Sequence, residues 1–193
     1  MDVGSLDIEP LGRHHARAAF SCDEPSLTTY PRQQARQDVD RDLTSCWVLC
    51  VPGNAEIIGY YTLNATSIDV SRLPPELAKR SGRYRVVGAV LLGRLAVDSR
   101  YSGQRVGSHL LLNALRRVLR ATLHGIAIKA VVVDALHEKA ARFYEKFGFE
   151  RIEGVEQAVE RTEDDPVYLV LSLKAIREIF PHEGGEPAQL EEG

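Results

Sequence analysis

Cysteine is scarce in this chain, and long apolar runs are absent from it. The three cysteines, Cys22, Cys46 and Cys50, make an odd count with no signal-peptide pattern before them, so disulfides are not expected and a reducing cytoplasm is. Cys46 and Cys50 lie four apart in a strand-like segment and should face one side. No histidine pair with ligand spacing is near them, so no metal site is expected. No apolar stretch approaches the ~18 residues that a membrane span requires. The phosphate loop GxxxxGK[ST] is missing, as is a GxGxxG turn followed by an acid about twenty residues on, which excludes the common nucleotide and dinucleotide sites. There is no internal repeat. Lysine and arginine are missing from one stretch, "PHEGGEPAQLEEG" at residues 181–193, which carries four glutamates.

What is present is a body of ordinary composition. With 193 residues and 44% hydrophobic side chains, the chain can bury one core and is too short for two full domains. The expected organisation is a single domain over residues 1–180 and an acidic, disordered tail over 181–193, which has little to bury. Setting the four tail glutamates aside leaves 24 basic residues against 23 of the 27 acidic ones. That near-balance hides a block. Residues 79–120 hold Lys79, Arg80, Arg83, Arg85, Arg94, Arg100, Arg105, Arg116, Arg117 and Arg120 against the single acid Asp98. Such clustering points to a surface that attracts phosphates.

"SLDIEPL" alternates polar and apolar residues and ends in Pro10, which predicts a short first strand. Helical patches are predicted over residues 12–20 and from Ser26, as N-cap, through "LTTYPRQQARQDVDRDL", with Pro31 tolerated if it stays within the opening turn. "TSCWVLCV" and "AEIIGYYTL" around "PGN" read as a hairpin. "LPPEL" begins a short helix or turn, and "GRYRVV" leads into the apolar run "AVLLGRLAV". From Val106 to Leu123 the period is helical, with Val106, Leu110, Leu111, Leu115, Val118 and Leu119 on one side and His109, Asn113, Arg116 and Arg120 on the other. "IKAVVVDAL" reads as a buried strand, "HEKAARFYEKF" as a helix closed by Gly148, and "PVYLVLSL" as the last strand. Hairpins in the first half and alternating strands and helices in the second make a mixed α/β fold.

The turn "YSGQRVG", residues 101–107, joins the apolar run to the basic-faced helix. A glycine-rich turn at a helix start offers unpaired main-chain N–H groups and the positive end of the helix dipole, which together bind a diphosphate. Taken alone this pattern is also that of plain helix capping.

"LAVDSRYSGQRVGSHLL", followed some thirty residues later by "VVVDALHEKAARFYEKFGF", resembles the two central motifs of the GNAT acetyltransferases, which bind acetyl-CoA by its pyrophosphate. The first motif of that family reads [Q/R]xxGxG. Here the six positions are Ser102, Gly103, Gln104, Arg105, Val106 and Gly107, so that Ser102 replaces the usual Gln or Arg and Arg105 stands where glycine is usual. A non-glycine residue there is expected to forbid the most strained turn geometry while bringing a cation to the phosphates. "FSCDEPSLTTY", "QQARQD", "IIGYYTL", "LLGRLAVD" and "VVVDAL" resemble, more narrowly, the TacT and AtaT type toxins of bacterial toxin and antitoxin pairs.

The resemblance implies a GNAT fold, with a mixed, mostly antiparallel central sheet flanked by helices. It implies an acetyl-CoA-dependent N-acetyltransferase that acts on the α-amino group of aminoacyl-tRNA and blocks translation. Its implied partners are a ribbon-helix-helix antitoxin and a second copy in a homodimer. Tyr144 falls where the family commonly has the residue that protonates the departing thiolate of CoA. The cofactor would be held by Gly103, Gln104, Arg105, Val106, Gly107 and Ser108, and by the main chain of Leu95, Ala96 and Val97. Arg100 and Arg105 lie close enough to the turn to meet CoA phosphates, whereas Arg83, Arg85, Arg94, Arg116 and Arg120 could line a path for tRNA. Direct attack by a free α-amino group, of pKa about 7.7–8.0, needs no strong general base. Two alternatives stay open: a GNAT enzyme for a protein N-terminus or small amine, and a GNAT-like module that binds acyl-CoA or nucleic acid without catalysis.

Overall fold

The computed structural model describes residues 8–51, 53–152 and 166–183. Seven strands and six α-helices follow one another along them: β1 (Ile8–Pro10), α1 (Pro25–Gln33), α2 (Ala35–Asp40), β2 (Ser45–Cys50), β3 (Ile57–Asp69), α3 (Pro75–Lys79), β4 (Val86–Val97), α4 (Val106–Leu123), β5 (Ala130–Ala135), α5 (Glu138–Glu145), β6 (Glu150–Arg151), β7 (Val167–Ser172) and α6 (Leu173–Ile179). The strands hydrogen-bond in the order β1-β2-β3-β4-β5-β7-β6. β1 with β2, β2 with β3, β5 with β7 and β6 with β7 are antiparallel. The expected mixed, mostly antiparallel α/β fold is the one found.

The described residues fall into two compact units, one of residues up to Asn64 with Leu92–Ala114, the other of Ala65–Leu91 with those from Leu115 on. In the first, Leu11, Phe20, Tyr30, Val48, Ile57 and Tyr60 form the core. In the second, Ile68, Leu73, Ala89, Ala130, Ile152 and Val170 do so. The apolar face expected of α4 is buried in full, from Val106 to Leu119. Asn113, expected on its polar side, instead accepts a 2.6 Å hydrogen bond from the Tyr61 hydroxyl.

Three local expectations are corrected. Residues 12–20 are not a helix; they form turns, and Ala16 bridges to Glu56 beside β3. α1 is capped by Glu24, whose carboxylate accepts from Ser26 N–H, so Ser26 lies inside the helix and not at its cap. Pro31 sits near the end of α1 and not in its opening turn. A proline cannot donate to the carbonyl four residues back, and here the Tyr60 hydroxyl takes that carbonyl, Leu27 O, at 2.7 Å. A core side chain thus repairs the gap that sequence reasoning counted against this position. The helix α6, which the sequence did not announce, starts at Ser172, whose hydroxyl accepts from Ala175 N–H at 3.1 Å.

Candidate functional site

The turn after β4 is built on an acid. Asp98 is 1% exposed, and its carboxylate accepts from the N–H groups of Ser21 and Arg100 at 3.0 and 3.1 Å. The Arg100 guanidinium adds bonds of 2.8 and 3.0 Å. Burial alone would push this carboxyl up. The Arg100 guanidinium and the two N–H groups outweigh it, so its pKa lies below the ordinary carboxylate value. Asp98 N–H donates to Ile58 O of β3 at 2.7 Å, and Ser99 N–H to Ser21 O at 2.8 Å. The 3-10 turn Ser99–Tyr101 therefore leaves the strand in a fixed direction.

Arg100, expected to meet CoA phosphates, is committed elsewhere, since its guanidinium also pairs with Glu56. Sequence reasoning missed Asp98 as an anchor because its partner Ser21 is 77 residues away.

From Ser102 the chain passes through Gly103 at φ +76° and Arg105 at φ +63°, then enters α4 at Val106. Arginine in place of the usual glycine does not keep the turn from being left-handed. A single non-glycine residue enters that region at a cost of about 1–2 kcal/mol, and Arg105 does so, with its side chain exposed. His109 N–H, donating to Arg105 O at 3.1 Å, makes the first bond of the helix ladder. The N–H groups of Val106, Gly107 and Ser108 precede it and have no acceptor within the helix.

Gly59 of β3 sets how closely this end of α4 approaches the strands. A Cβ there would lie 2.8 Å from Leu110 Cδ1 and 2.9 Å from Ala96 O. Of the expected cofactor strand, Ala96 is buried, while Leu95 and Val97 are half-buried.

The second piece of the candidate machinery lies on α5. His137 caps this helix, its Nδ1 accepting from Ala140 N–H at 3.1 Å, and Gly148 turns the chain at φ +86° beyond its end. Tyr144 is 8% exposed, between the rings of Phe143 and Phe149 at centroid distances of 5.2 and 5.5 Å. Burial raises its pKa above the ordinary phenol value, so the hydroxyl keeps its proton. Nucleophilic cysteine chemistry is disfavoured by the same physics. Burial pushes the Cys46 thiol up to about 12 and the Cys50 thiol up to about 11.

The turn before α4 thus presents N–H groups without helix acceptors, and Tyr144 of α5 keeps its proton. Residues 42–151 match the acetyltransferase (GNAT) domain family. The chain belongs to the GNAT acetyltransferases. It is 34% identical over 162 residues to the tRNA-acetylating toxin of Mycobacterium tuberculosis, covering 84% of this chain and 89% of that one. Among solved structures it is similar to AtaT complexed with acetyl-methionyl-tRNAfMet, at a TM-score of 0.79 and 28% identity over 91% of this chain and 99% of that one. It is also similar to an AtaT tyrosine-to-phenylalanine mutant bound to the C-terminus of the antitoxin AtaR and acetyl-CoA, at a TM-score of 0.72 and 26% identity, covering 91% and 98%.

In this GNAT chain the arginines of the basic block have different surroundings. Arg83 and Arg85 are exposed in the turn before β4, on either side of Tyr84, which is 71% exposed. Arg94 is half-buried, with its guanidinium 3.7 Å from the centroid of the Tyr30 ring, so it packs on an aromatic face. Arg116 lies over the Phe180 ring and pairs with Glu183 at 2.8 Å. Arg120 approaches the same carboxylate at 3.7 Å.

The acidic tail therefore begins differently from the expectation. Pro181–Glu183 form a turn after α6 in which Glu183 is held by α4; residues 184–193 lie outside the described residues. Among the described residues no helix is long and apolar enough to cross a membrane.

Proposed function

We propose that this protein transfers the acetyl group of acetyl-CoA to the free α-amino group of aminoacyl-tRNA and so blocks translation as a toxin. The observation that carries the reading is the open N-terminus of α4, reached through left-handed Gly103 and Arg105, in a chain whose similarity to a tRNA-acetylating toxin spans 84% of its length. That AtaT has been solved with acetyl-methionyl-tRNAfMet and with acetyl-CoA supports both substrates.

Acetyl-CoA would supply an activated acyl group as its thioester. The residues of the turn fit its pyrophosphate: the N–H groups of Val106, Gly107 and Ser108 lack helix acceptors, and Gly103, Gln104 and Arg105 shape the approach, with Arg105 adding a cation. The main chain of Leu95, Ala96 and Val97 serves the pantetheine arm and the carbonyl oxygen, where donors stabilise developing negative charge. Tyr144, kept neutral by burial, holds the proton that the departing sulfur requires. Arg83 and Arg85 are the arginines best placed for tRNA phosphates, because they are exposed. Arg116 and Arg120 join them only when Glu183 lets go. An antitoxin partner belongs to the same reading, supported by the AtaT complex with AtaR; its ribbon-helix-helix type, a homodimer and a cytoplasmic site of action are further parts of the proposal.

The test is direct. The protein is mixed with labelled acetyl-CoA, charged tRNA and a control set of small amines and peptides. Label on the aminoacyl end of tRNA is expected. Label only on the other amines, or none at all, would overturn the proposal.

A further inference from the structure

Away from the acetyl-transfer machinery, the fold gathers one cluster of ligand-type side chains. The turn of residues 12–16 is held at both ends: Leu11 N–H donates to Cys46 O at 2.9 Å, and Ala16 N–H to Ala55 O at 2.8 Å. Between these anchors the turn brings His14 and His15 back to Glu9 of β1. One ligand-type atom from each residue lies within 4.8 Å of the other two. Glu9 Oε1 is 3.1 Å from His15 Nε2 and 3.8 Å from His14 Nε2. A tetrahedral cation with bonds of about 2.0–2.1 Å needs its ligands about 3.3–3.4 Å apart; the two Glu9 edges, 3.1 and 3.8 Å, lie on either side of that length, and the third edge is within 4.8 Å. Imidazole with carboxylate suits first-row transition cations better than calcium or magnesium, which take oxygen ligands.

We propose that Glu9, His14 and His15 form a binding site for a divalent first-row transition cation, with solvent completing its coordination.

Three features prepare the site. The His15 side chain is fully enclosed, and its Nδ1 lies 2.8 Å from Gly12 N and 3.3 Å from Gly12 O. Nδ1 accepts from the Gly12 N–H in the tautomer whose Nε2–H faces Glu9. Turning the Nε2 lone pair to a cation moves the ring proton to Nδ1, which then shifts from the Gly12 N–H to the Gly12 carbonyl, 3.3 Å away. The second arrangement is the outer-shell support that orients metal-bound histidines.

Gly12 also makes room, because a Cβ there would lie 2.8 Å from two atoms of the His14 ring. Glu9 and His14 are 51% and 64% exposed, which leaves a path for the cation and places for water.

The test uses the untagged full-length protein after chelator treatment, titrated calorimetrically with Zn²⁺ and with Co²⁺. One cation per chain, visible absorption bands from bound Co²⁺ and a rise in unfolding temperature at saturation are expected. His14→Ala and Glu9→Gln replace exposed side chains and should leave the fold intact. Each should weaken binding by at least ~10-fold while acetyl transfer is unchanged. Binding no tighter than millimolar in the wild type overturns the proposal. So does a double variant that binds as tightly as the wild type, since the cation would then sit on other side chains.

Discussion

The Asp98 carboxylate and the Arg100 guanidinium face each other across two hydrogen bonds, 2.8 and 3.0 Å long, although only two positions separate them. The pair closes the 3-10 turn between β4 and the helix α4. The acid is buried while the arginine is half in water, so the fold depends on the acid more than on its partner. Losing a charged hydrogen-bond acceptor costs about 1.5–3 kcal/mol, and Asp98→Asn should destabilise the protein by about that amount. Because the folded carboxyl has a depressed pKa, its contribution is present above the unfolded carboxyl's value of about 3.9 and is lost as pH falls through the folded one. Denaturant titrations from pH 7 to pH 3 should show the acid-side loss in the wild type and a smaller one in the variant. The KM for acetyl-CoA should rise, since the turn proposed to hold its phosphates loses its anchor.

Gly59→Ala tests the close approach of α4 to β3. One of the atoms facing the new methyl is the Ala96 carbonyl oxygen at 2.9 Å, which is backbone and cannot rotate aside. Overpacking of this kind costs roughly 1–3 kcal/mol. A lowered denaturation midpoint together with a raised acetyl-CoA KM is the expected result.

Tyr144→Phe should preserve the fold and acetyl-CoA binding, because the ring packing with Phe143 and Phe149 survives, while turnover falls about 100-fold or more. The pH dependence has a definite sign. Burial raises the phenol pKa in the folded state, so the stability tied to its neutral form is complete below the unfolded value of about 10 and is lost as pH rises through the folded one. The wild-type rate should accordingly show no alkaline fall from this tyrosine below about pH 10. A pH–rate profile of both proteins checks this.

Glu183→Gln removes the carboxylate that holds Arg116 and Arg120. These arginines are partly solvated, so stability should change by less than about 1 kcal/mol. The freed cations should tighten tRNA binding and steepen its dependence on salt. Filter binding at several salt concentrations, for wild type and variant, measures both effects.

Much of this protein was legible without coordinates. The period of α4, the glycine turn before it, the hairpin of β2 and β3, and the helix that carries Tyr144 are local features. Each is set by side-chain spacing, turn residues and caps within a few positions, and each appears where the sequence put it. Tertiary structure decided what depends on partners far along the chain. Tyr60 rescues Pro31 from 29 positions away, Ser21 reaches Asp98, and Glu183 neutralises arginines on α4. Arg105 is left-handed where sequence alone favours glycine, and His14 and His15 meet Glu9 because a segment with a helical pattern is instead pinned as a turn to β2 and to the loop before β3. Local propensity is written in short windows of residues, whereas burial, charge pairing and strain are fixed by which windows the fold brings together.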